Sequence, residues 1–209
     1  KYLIPVVLMC LFSCAVKNDP PNPLTQQTTK SGNPKPSILF VLMNVKNTET
    51  MKRAIIRASS YYKQSYVLEF KPIPSTALHP KRKRYVGDSL ISYLDHINNG
   101  RYVFVAGLTD MDICTNKNGI EDWGIFGQGT INNKGCVTSG KRLSKYVSEK
   151  KYEDRLTKVI MHEIGHNHGV NHCVSADPCF MKDGEGKVAT VDNEPFEMCL
   201  SCKRMAGIQ

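Results

Sequence analysis

The chain has 209 residues, 41% of them hydrophobic, which suits one domain with a real core and excludes two generous ones. Its 28 lysines and arginines outnumber 19 acids and leave a net charge of +9, which raises the question of nucleic acid. The densest basic run, "HPKRKRY" at 79–85, falls in a loop between a strand and a helix with no recognition motif beside it, so a solvated basic face is expected and no nucleic-acid partner.

The chain begins "KYLIPVVLMCLFSC", one lysine and then an apolar run too short for a comfortable membrane span. Leu11-Phe12-Ser13-Cys14 resembles a bacterial lipoprotein signal, with cleavage before Cys14 and lipid on that cysteine. An ordinary cleaved secretory signal and a retained anchor stay open beside it. On this reading residues 1–13 are a signal peptide. Residues 14–36 are a tether carrying five of the 11 prolines, and 37–209 are the folded domain. The expected place is the bacterial cell envelope, on its periplasmic or surface side, held to the membrane by lipid.

The domain opens with "SILFVLMNV", a continuous apolar run that predicts a buried strand. "TETMKRAIIRASSYYKQ" follows as an amphipathic helix capped by Thr48 or Thr50. "SYVLEFKPI" is a second strand, "DSLISYLDHINNG" a second helix ending in glycine, and "RYVFVAGLT" a third strand. Alternating strands and helices imply an α/β (α+β) domain whose mixed, mostly parallel sheet is backed by helices. The glycine-rich "EDWGIFGQGTINNKGCVTSG" is expected to hold short strands, one of them an exposed edge over Asp122 to Gly129. Such an edge can pair with an extended peptide through main-chain bonds, with Gly124, Ile125, Phe126 and Gly127 as the contact residues. A plain glycine-rich turn with Trp123 packed locally is the alternative. Cys114 and Cys136 flank this region as either a disulfide or two buried thiols.

Next comes "HEIGHNHGVNHC", which puts four of the six histidines within eleven residues. The preceding "YEDRLTKVIMHEIGH" predicts a helix: Leu156, Val159, Ile160 and Ile164 fall at helical spacing, with Glu153 and Asp154 in the first turn. His162 and His166 then share one face. His172 joins them only if the chain turns first, and Gly169 stands where glycine can end the helix. Three converging imidazoles describe a zinc site with a fourth position left for water. Glu163, beside the first ligand, can reach a zinc-activated water without ligating the metal and serve as general base. His168 falls off that face. Downstream, Cys199 and Cys202 form a CxxC pair that joins Cys173 and Cys179 as a closed four-thiolate zinc site; two disulfides or a redox pair are the alternatives.

HExxHxxGxxH with an adjacent cysteine, then Cys-x-Met, then CxxC, resembles the archaemetzincins, a branch of the metzincin metallopeptidases. The likeness is specific from His162 to Cys202. It implies a single metzincin-like domain, with an active-site helix followed by an irregular, zinc-stapled carboxy-terminal subdomain. It implies two zinc ions per chain, one catalytic on His162, His166 and His172 and one structural on Cys173, Cys179, Cys199 and Cys202. It also makes Glu163 the general base and Met181 the Met-turn methionine under the metal. Five residues, "VSADP", separate Cys173 from Cys179, one more than the family usually has. No tyrosine follows Met181 in "MKDGEG", so no oxyanion stabiliser besides zinc is identified. The function expected is a monomeric zinc peptidase acting on peptides or proteins. A zinc-stabilised envelope binding protein without turnover is the alternative, and the intact Glu163 favours the enzyme.

Overall fold

The computed structural model describes residues 37–131 and 134–208. Cys14 and the expected signal and tether lie outside them. Five strands form the main sheet in the order β2-β1-β4-β8-β7, where β1 is Ile38–Met43, β2 Tyr66–Lys71, β4 Phe104–Thr109, β7 Gly127–Gly129 and β8 Gly135–Ser139. All pairings are parallel except β7 with β8. β1 is an inner strand, paired on both sides and at most 2% exposed along its length, which is why it reads as an unbroken apolar run. Its alternate residues serve opposite cores. Ile38, Phe40 and Leu42 meet the side of α1 (Thr48–Tyr61) and α3 (Glu149–Asn167), while Leu39, Val41 and Met43 meet α2 (Gly87–Asn98).

A second sheet, β3-β5-β6, contains Tyr85–Val86, Ile113–Lys117 and Ile120–Ile125. The edge strand is therefore shorter than the sequence reading of Asp122 to Gly129. The chain through Ile125 pairs antiparallel with β5, and only Gly127–Gly129 returns to the main sheet. The basic run is partly structural as well: Arg82 meets Asp122 at 2.9 Å, and Arg84 meets Asp112 at 2.9 Å, tying the loop to the small sheet.

Two helix starts differ from the sequence reading. Asn47, not a threonine, caps α1 by accepting from Thr50 N, and the Thr50 hydroxyl donates instead to Glu149. The metal helix α3 begins a turn earlier, capped by Ser148. Glu153 and Asp154 thus leave the first turn and pair with Arg53 and Arg57 of α1, at 2.6–3.1 Å. Beyond α3 the chain is irregular apart from α4 (Val188–Asn193) and α5 (Leu200–Ala206). Cys114 and Cys136 are buried free thiols on different sheets, β5 and β8.

Candidate metal centre

α3 carries His162 and His166 one turn apart, and Gly169 (φ +85°) breaks the helix so that His172 returns to them. One ring nitrogen from each histidine lies within 4.8 Å of the others. Two rings are oriented by backbone: His162 Nδ1 donates to Phe180 O at 2.8 Å and His166 Nδ1 to Val170 O at 2.7 Å. Those bonds place the proton on Nδ1 and leave each Nε2 as a lone-pair donor, the arrangement that zinc-binding imidazoles use. His172 is more exposed, with Asp183 Oδ2 3.9 Å from its Nδ1. Burial, and then His166 beside it, push the His162 pKa down to about 3, so that ring stays neutral. Three imidazoles converging on a cleft fit a zinc ion with an open position.

Glu163 is buried against β7, and burial raises its carboxyl to about 8 although the Gly129 N–H donates to it. A dication among the histidines would favour the ionised form and reverse that shift. The fit with β7 explains the glycines. A Cβ on Gly127 would overlap the Glu163 carboxylate, and one on Gly129 would sit 2.7 Å from Glu163 O. Ile125, Phe126 and Gly127 line the cleft; Gly124 does not, because a side chain there would enter the Arg142 guanidinium. Trp123 does line it.

Behind the histidines, Met181 is fully buried, and Gly165 of α3 leaves the room it fills: a Cβ there would lie 2.5 Å from Met181 Sδ. The four sulfur atoms of Cys173, Cys179, Cys199 and Cys202 also gather within 4.8 Å, with Cys173 and Cys199 at 3.6 Å. Four thiolates on one zinc stand roughly 3.8 Å apart, from Zn–S distances near 2.3 Å, so the cluster fits that ion. The Ser201 hydroxyl, 3.1 Å from Cys199, lowers that thiol's pKa. The segment Cys179-Phe180-Met181 connects the clusters: a thiol, the carbonyl on His162, and the methionine whose own carbonyl accepts from Cys173 N at 2.8 Å. His168 takes no part. It stacks on Tyr62 with centroids 5.0 Å apart.

Sequence reasoning missed Gly129, Gly165 and the orienting carbonyls. Gly127 and Gly129 carried a readable signal, since two glycines at period two clear one face of a strand. The carbonyls carry none, because any residue supplies one.

The model of Peptidase family M54 matches residues 37–206. The archaemetzincin of Natronomonas pharaonis is 29% identical over 142 residues, 64% of this chain and 78% of the relative. That of Saccharolobus solfataricus is 25% identical over 171 residues, covering 79% and 90%. Among solved structures, the archaemetzincin of Methanopyrus kandleri superimposes with a TM-score of 0.69 at 23% identity, covering 82% of this chain and 93% of that one. The archaemetzincin of Archaeoglobus fulgidus complexed with malonate gives 0.67 at 21%, covering 80% and 99%. These structures share the fold, and the family match covers most of the chain: it belongs to peptidase family M54 and is a zinc metallopeptidase with the archaemetzincin fold.

Proposed function

We propose that this chain hydrolyses peptide bonds at the three-histidine site with Glu163 as general base, and that it holds two zinc ions. His162, His166 and His172 would hold the catalytic ion, and Cys173, Cys179, Cys199 and Cys202 the structural one. Bound zinc supplies Lewis acidity, acidifying water and polarising a carbonyl. Glu163 accepts the water's proton on its carboxylate and returns it to the departing amine. Gly129 holds that carboxylate by its N–H, and the glycines of β7 leave the room that the Glu163 side chain fills. Ile125, Phe126 and Gly127 flank the same cleft and are the proposed peptide contacts. The observation that carries the reading is a buried carboxylate set beside three converging imidazoles in one cleft. A merely structural metal site gains nothing from it.

Glu163→Ala tests this. The variant should keep its zinc and its fold yet lose roughly 10²–10⁴-fold in single-turnover peptide cleavage. Cleavage at the parent rate would discard the mechanism. On sequence alone we also propose that Cys14 carries lipid and that residues 14–36 tether the domain to the envelope. Cys14→Ala should abolish acyl labelling, and unchanged labelling would reject that assignment.

A further inference from the structure

The cleft, with a volume of about 270 Å³, runs past the histidines along α3 to a wall made by α4 and the residues after it. Lys158 and Val159, one turn before His162, form one side, and Val191 and Glu194 the other. Three cations fix that wall, among them Lys151 at 3.0 Å from Asp192. Arg155 grips Asp192 at 2.8 and 2.7 Å, and buried Lys158 donates from Nζ to Val191 O at 2.9 Å and Asp192 O at 3.3 Å. The Lys158 ammonium also lies 5.0 Å from the centre of the Phe196 ring. Its charge is thus committed to closing the end of α4.

Glu194, just past that helix end, has no such closure. Its backbone N–H is bonded to Thr190 O, but its side-chain Oε1 is buried without a hydrogen-bond partner among the described residues. Lys158 and Lys182 are near enough to favour the carboxylate, yet neither reaches Oε1. A buried orphan acceptor is costly, and a donor arriving with the substrate removes that cost. Glu194 and Lys182 also border a second hollow of about 420 Å³ behind α4, with Pro178, Thr190 and Asn193. Glu194 thus stands in the partition between the cleft and that hollow, with its carboxylate at the far end of the cleft from the histidines.

We infer that Glu194 sets cleavage preference: one residue flanking the scissile bond is lysine or arginine, its N–H groups bonded to the Glu194 carboxylate. This rests on the peptidase reading of the histidine site. The incoming cation supplies the direct donor that neither lysine gives to Oε1, and a charged donor on a carboxylate is the stronger kind of hydrogen bond. An aliphatic side chain of equal length would fill the pocket and leave the acceptor orphaned.

The test uses the full zinc-loaded chain and peptides that differ only in lysine, norleucine or glutamate at each flank in turn. At one flank, kcat/KM for lysine should exceed that for norleucine by about tenfold or more. Glu194→Gln should bring that ratio to within about threefold of unity, and Glu194→Lys should turn the preference toward glutamate. The parent ratio needs no variant, so a misfolded mutant cannot rescue the idea. Norleucine or glutamate equal to lysine at both flanks, or an unchanged ratio in Glu194→Gln, overturns the inference and leaves the peptidase reading standing. Zinc-loaded parent that cleaves no peptide overturns both.

Discussion

Gly165→Ala sets two physical effects against each other, and their sum decides whether the glycine of "HEIGH" serves the helix or the metal. Alanine is the better helix former by about 1 kcal/mol, so propensity alone predicts a more stable protein. The new Cβ, however, would lie 2.5 Å from Met181 Sδ and 3.1 Å from Met198 Cε. Ordinary contact is about 3.5–4.0 Å, so the sulfur must retreat by about 1 Å. Met181 is fully buried in a close-packed core, where overpacking costs about 1–3 kcal/mol. The net expectation is a loss of about 1 kcal/mol, or a fall in Tm of about 2–4 °C for a domain of this size. Function should suffer more. Phe180, bonded to Met181 in the chain, holds His162 through its carbonyl. Loss of such an orienting bond typically costs 10–100-fold in metal affinity, so zinc should bind about tenfold more weakly in chelator competition. Calorimetry of the zinc-saturated protein and that competition form the assay. Adding Met181→Ala should relieve the clash and give a coupling of about 1 kcal/mol in a double-mutant cycle. A higher Tm with unaltered zinc affinity would refute the steric account.

Two more expectations concern the metals and acid stability. His166→Ala should release one zinc and leave the thiolate site filled. Cys202→Ser should lower thermal stability first, since structural zinc adds directly to folding free energy, and elemental analysis beside melting curves separates them. Asp192 is held at about 2, chiefly by hydrogen bonds from Arg155. A depressed folded-state pKa contributes stability above the ordinary carboxylate value near 4 and loses it as pH falls toward 2. Arg155→Ala should flatten the stability profile in that window, as read by denaturant unfolding at stepped pH; an unchanged acid limb would remove this pair from the account.

The metal centre was legible because its chemistry is local. His162, Glu163 and His166 lie on one helix, and Gly169 breaks it where His172 needs a turn. The main-sheet strands were legible too, since β1 is buried on both faces and must be apolar throughout. What escaped the sequence depends on partners far along the chain. Glu153 and Asp154 look like first-turn acids until Arg53 and Arg57, about a hundred residues earlier, claim them. Thr50 looks like a cap until Glu149 takes its hydroxyl. The stretch Asp122 to Gly129 looks like one strand, but strand propensity does not say which sheet each half will join. Glu194 gives no sequence signal at all. Its interest lies in a missing partner, which only the packed structure can show.

The thiol cluster bears on the chemistry through the shortness of its connection to the histidines. His172 and Cys173 are neighbours, and Cys173 N is bonded to Met181 O. Two residues back from that carbonyl is Cys179, and between them Phe180 holds His162. Movement at one cluster therefore has two short routes to the other, one covalent through His172 and Cys173 and one through Cys179, Phe180 and the hydrogen bond to His162. The two histidines on α3 need little help, because a rigid helix already fixes their backbone. His172 is different: it follows a broken helix, its side chain is 48% exposed, and its nearest acid is 3.9 Å away. Of the three histidines it has the weakest orientation of its own, and it is the one joined directly to a cysteine. A closed four-thiolate site at Cys173 would hold the backbone where side-chain bonds do not. That placement would account for the proposed structural zinc lying so close to the proposed catalytic one.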